Sequence, residues 1–175
     1  MKIILNTKGF TLIEFLLYTI ILAMVLILAG GFLWDIIFGN IKETSYQEVQ
    51  QNGRFALSKI TQEIKKATGV NTPPPGSSSN NLLLAMANPS LHPTVFDVVD
   101  GKLRITQGSN GPYELTSDQV AVTNIQFTDL SYTGTPGTIR MEMTIDYVNP
   151  MNRNEYTASA SFKSTVSLLK GGATP

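Results

Sequence analysis

One carboxylate in this chain stands where carboxylates are costly. From Phe10 to Trp34 the chain runs 25 residues with a single charge, Glu14, close to the start of the run. A carboxylate at the centre of a bilayer-spanning helix is disfavoured by roughly 3 kcal/mol, somewhat less near an end. Such a residue is a functional candidate by default. Other chemistry-bearing groups are sparse. The one histidine, His92, lies in Pro89-Ser90-Leu91-His92-Pro93, a loop by its prolines, and no GxSxG-like nucleophile motif accompanies it. Asp97 and Asp100 supply two carboxylates without EF-hand-like spacing, whereas calcium takes about six to eight oxygens. With no cysteine, thiol catalysis, zinc-thiolate sites and lipoprotein anchoring are removed. The glycines form no phosphate loop, and no Lys/Arg cluster is interleaved with aromatics. No catalytic residue, metal, cofactor or nucleic-acid contact is expected, so Glu14 carries the only unusual chemistry.

Glu14 closes the junction Lys8-Gly9-Phe10-Thr11-Leu12-Ile13-Glu14, which runs straight into the apolar stretch. This junction resembles the prepilin signal of type IV pilins and type II secretion pseudopilins. The resemblance implies a membrane peptidase that reads Gly9 and its basic neighbour Lys8, cuts between Gly9 and Phe10, and methylates Phe10. It also implies that Glu14 pairs with the N-terminus of a neighbouring subunit as helices pack in a filament. Phe10 and Glu14 are one helical turn apart, so the cut would place an α-ammonium and a carboxylate together, where the helix dipole favours the acid. A buried charge left unpaired is strongly destabilising, so such a pair can set subunit register. The partners implied are the peptidase/methyltransferase, other pilin or pseudopilin subunits, and the inner membrane.

Further matches are looser. Arg54-Phe55-Ala56-Leu57-Ser58-Lys59-Ile60-Thr61-Gln62-Glu63-Ile64, followed by Ala67, looks like the helix end of J-type pseudopilins and W-type minor pilins. Phe162-Lys163-Ser164-Thr165-Val166-Ser167-Leu168 resembles their last strand, with Leu169-Lys170 where Arg-Asn often follows. The proline common in the apolar half of pilins is missing here, since the first proline is Pro73. The family's implied activity is non-enzymatic: a minor pilin or pseudopilin of a type IV pilus or secretion filament.

Three rival readings compete. A secretory signal peptide would use Ala29-Gly30-Gly31 as its small-residue cleavage site, but its apolar run would be long and carry an acid. A plain unprocessed anchor fits the 20 uncharged residues Phe15 to Trp34, about 30 Å of helix, but leaves the junction unexplained. A membrane-tethered binding or adhesive domain that never polymerises is the third, and cleavage after Gly9 and dependence on Glu14 distinguish it. Lys2 and Lys8 precede the run and Glu14 is the only acid before Asp35, so the N-terminus is expected to stay cytoplasmic. The remainder would then be extracytoplasmic. Lysine plus arginine equal aspartate plus glutamate at 13 each, so no global field selects a partner.

The elements expected to position Glu14 follow from periodicity. Residues 1–9 are a leader, 10–34 a transmembrane or filament-core helix, and 35–70 an amphipathic helix. In the latter, Ile37, Ile41, Val49, Ala56, Ile60, Ile64 and Ala67 form one stripe between charged residues including Glu63. Residues 71–81, with Pro73-Pro74-Pro75-Gly76, are a linker. Residues 82–170 are an antiparallel β domain and 171–175 a tail. Asp100-Gly101 predicts a two-residue hairpin turn. Ile139, Met141, Met143, Ile145 and Tyr147 share one strand face, and Tyr156 to Leu168 keep a single alternating phase. Val120 and Val122 are out of phase with Ile125 and Phe127, predicting a bulge near Thr123-Asn124. The expected fold is α+β, pilin-like, with one long N-terminal helix packed on an antiparallel sheet.

Overall fold

The computed structural model describes Gly9, residues 11–132 and residues 137–169. The expected leader up to Lys8, Phe10, and the expected tail lie outside the described residues. The chain divides into two units, Met1–Asn40 and Ile41–Pro175. Helix α1, Leu12–Lys66, contributes to both.

In the first unit α1 is apolar on every side apart from Glu14 in its first turn and Asp35. Leu16, Tyr18, Ile21, Val25, Leu28 and Phe32 are all more than half exposed. Buried nowhere, the stretch is long and apolar enough to cross a membrane. Thr19 satisfies its hydroxyl within the helix, donating to the carbonyls of Phe15 at 3.1 Å and Leu16 at 2.9 Å. Trp34 stacks on Phe38 one turn later, with ring centroids 5.5 Å apart.

In the second unit α1 becomes amphipathic. Ser45, Val49, Gly53, Ala56, Ile60, Glu63 and Ile64 are buried, and their spacings of three and four place them on one face. Ile37, expected in this stripe, is about half exposed, and Ile41 is half-buried. The helix stops at Lys66 rather than near residue 70. Ala67–Thr72 form β1, which pairs antiparallel with β3, Leu82–Met86. Val70 is β-branched, and Thr68 Oγ1 donates to the Ala85 carbonyl at 3.1 Å, so cross-strand partners replace the helical ones. Pro73 has no N–H to continue a ladder and ends β1. The expected linker also contains β2, Ser78–Ser79.

Two antiparallel sheets replace the single one expected. The first has the order β1-β3-β4-β5-β6, with β4 Thr94–Val99, β5 Lys102–Gln107 and β6 Asn110–Glu114. The second has the order β2-β7-β8-β9, with β7 Val120–Asp129, β8 Thr138–Tyr147 and β9 Ser159–Ser167. The division falls at Leu115 to Gln119, where Thr116 Oγ1 accepts the Leu103 N–H at 3.1 Å and the Ser117 N–H reaches Asn52 of α1 at 2.9 Å. Those bonds hold the chain away from a β6–β7 ladder. Val122 N–H still donates to the Gly101 carbonyl at 2.8 Å, tying the sheets together.

The local expectations hold. Asp100 and Gly101 adopt φ of 53° and 74°, the left-handed pair that a two-residue hairpin needs between β4 and β5. The β7–β8 register shifts between Val122 and Asn124. Ile139, Met141, Met143 and Ile145 are all buried. One core joins α1 to both sheets, with Phe96, Leu82, Leu84 and Leu103 from the first and Phe127, Ile139 and Met141 from the second. Each such side chain contributes about 1.5–3 kcal/mol of burial.

Candidate functional site: the head of the first helix

Thr11 starts the helix. Its carbonyl accepts the Phe15 N–H at 3.1 Å, and its Oγ1 accepts the Glu14 N–H at 3.3 Å. This is the N-cap hydrogen bond, which satisfies one of the donors that a helix start leaves open. The signal was present in the sequence as Thr11-Leu12-Ile13-Glu14, a T-x-x-E capping pattern that reading for processing alone passes over. Glu14 is thus held in the first turn by its backbone, with its side chain exposed. Among the described residues its carboxylate has no hydrogen-bonded or ionic partner. An acid there is favoured by the helix dipole and remains open to a cation from outside.

Gly9 is exposed, and a side chain built on it would meet nothing within 4 Å. Lys8 and Phe10, the other two expected processing residues, lie outside the described residues.

His92 and Asp97, the other groups weighed in the sequence, have structural partners. His92 is exposed in its loop, and its Nδ1 accepts the Met86 N–H at 3.3 Å. Asp97 faces Arg104 across the β4–β5 hairpin, with Nη2 to Oδ2 at 2.6 Å, and that hydrogen bond is the first cause raising the Arg104 pKa. Lys163 holds Glu142 at 2.5 Å between β9 and β8, keeping its carboxyl below the ordinary value of 4.5. Among the described residues no three His, Cys, Asp or Glu side chains are grouped as metal ligands.

Two buried acids were not singled out in the sequence. Glu63 is 1% exposed, held by Lys59 at 2.8 Å and Lys66 at 3.4 Å, with Gln107 of β5 donating to its second oxygen at 3.4 Å. It ties the end of α1 to the first sheet. Asp129 is fully buried; its Oδ1 accepts from Ser131, while among the described residues Oδ2 has no hydrogen-bond partner. Asp129 lines a recess of about 450 Å³ with Thr128, Ser131, Tyr132 and Arg140.

Comparison with protein families, with curated proteins and with solved structures returned no match.

Proposed function

We propose that the chain is a non-enzymatic filament subunit, a minor pilin or pseudopilin, processed between Gly9 and Phe10 and assembled through its N-terminal helix. The observation that carries this reading is the Lys8-to-Glu14 junction leading into a helix whose apolar first part is buried nowhere. Such a surface needs a solvent other than water, either lipid or neighbouring helices. The N-cap bond of Glu14 uses its backbone N–H, which leaves the carboxylate for an α-ammonium on the adjacent subunit. The second unit supplies a folded domain to be displayed outside the inner membrane.

Glu14→Leu tests the reading. It removes the one costly group from the run, so membrane insertion should persist. Processing should survive if the peptidase reads Gly9 and Lys8. Recovery of the variant with its filament partners, at equal membrane abundance, should fall well below that of the unsubstituted chain. Equal recovery would reduce Glu14 to an interfacial residue and favour the tethered domain that does not polymerise.

A further inference from the structure

Two contacts fix a direction within the second unit. Gly53 packs against Phe162, and the Lys65 carbonyl accepts the Leu169 N–H at 3.3 Å. Helix α1 and strand β9 therefore run in the same sense, and Lys65 with Leu169 marks one end of the domain. The start of β9 and the loop before it, residues 148–158, lie towards the opposite end, where the chain enters the domain. Only residues 35–44 separate Trp34, the last aromatic of the apolar run, from Ser45, the first buried residue of α1. That connection is at most about 40 Å even fully extended.

The loop is built rather than loose. Asn149 Oδ1 accepts the Arg153 N–H at 3.0 Å, its Nδ2 donates to the Arg153 carbonyl at 2.7 Å, and the Asn152 N–H donates to the Asn149 carbonyl at 3.1 Å. The turn, with Asn152 at φ 50°, holds Pro150 and Met151 at its tip. Met151 is 78% exposed, Val148 42%, and Tyr46, in the first turns of α1 within this unit, 50%. Behind the tip the Arg153 guanidinium lies 5.4 Å over the Tyr156 ring, which stacks on Tyr147 at 6.2 Å. Arg153 also meets the Glu155 carboxylate, so these two charges of the loop cancel.

We infer that this loop is a lipid-contacting element, resting Met151 and Val148 on the outer surface of the bilayer that the apolar run enters. An apolar tip backed by two tyrosines and an arginine is the chemistry of a membrane interface, where ring and guanidinium stay at headgroup level and the aliphatic groups go below. With its charge internally paired, the contact is hydrophobic and insensitive to salt. Its pre-formed turn leaves little to order on docking. The inference rests on the reading of the run as a membrane span.

The chain has no cysteine, so single introduced cysteines can be labelled cleanly. The full chain is placed in lipid discs of phosphatidylethanolamine and phosphatidylglycerol, with nitroxides at either the headgroup or the acyl chain. Fluorophores are attached at Met151→Cys, at Leu169→Cys, and at Ala23→Cys in the apolar run. Leu169 is a matched control, 76% exposed at the far end of the domain. The headgroup nitroxide should quench position 151 several-fold more than 169, and raised salt should not reverse it. Equal quenching at 151 and 169, with 23 quenched by the acyl-chain nitroxide, overturns the loop contact and leaves the span intact. Absence of quenching at 23 overturns the span itself. Shielding of 151 from an aqueous quencher without lipid quenching means a protein contact there, and also overturns the inference.

Discussion

Gly53 of α1 and Phe162 of β9 meet so closely that a Cβ on Gly53 would lie 2.1 Å from the ring. A glycine that reads as a weak point in a helix is therefore the place where the second sheet closes onto it.

Gly53→Ala should lower the melting temperature of the detergent-solubilised chain. Overpacking costs typically about 1–3 kcal/mol, against up to about 1 kcal/mol gained from helix propensity. In a Phe162→Ala background the same substitution should become neutral or stabilising. A stabilising Gly53→Ala with Phe162 in place would mean that the ring moves aside freely.

Glu63 makes an asymmetric prediction. Replacing both Lys59 and Lys66 by methionine strands a buried carboxylate with Gln107 alone, a loss of about 3–5 kcal/mol. Glu63→Gln leaves two partly exposed lysines that water can solvate, and should cost less, about 1–2 kcal/mol. Chemical unfolding of the two variants gives the order, and the reverse order would show that the acid is not held by its lysines.

The Glu142–Lys163 pair gives a pH dependence. The carboxyl is depressed below 4.5, first by its hydrogen bond with Lys163. A group whose folded value is depressed adds stability above its ordinary value and loses it as pH falls through the folded one. Glu142→Gln should thus be slightly less stable than the unsubstituted chain at neutral pH, and the gap should close below 4.5. The pair lies on an exposed face, so the gap is small. A gap that widens in acid contradicts the assignment.

What the sequence reveals and what it hides divide along physical lines. The Asp100-Gly101 turn, the alternation of β8 and the bulge at Thr123 are local, and each could be read from its own neighbours. Two sheets instead of one depend on which strands pair, and the Thr116 and Asn52 bonds that separate them are invisible in any local pattern. Ala67 continues the helical stripe, yet its pairing with Met86 makes it strand. Glu63 sits three residues after Ile60 with lysines on both sides, which reads as a solvated face until Gln107 arrives from a distant strand. At the helix head, Glu14 was legible because a charge in an apolar run is conspicuous, while the cap from Thr11 was obscured by the same motif's other meaning.

Processing at the Gly9–Phe10 junction is the step on which the proposed assembly rests. Intact-mass analysis of the protein extracted from its membrane tests it most directly. The expected product has lost nine residues, leaving 166 of the 175 with a methyl group on Phe10. A mature chain beginning at Met1, or beyond Ala29, would contradict it.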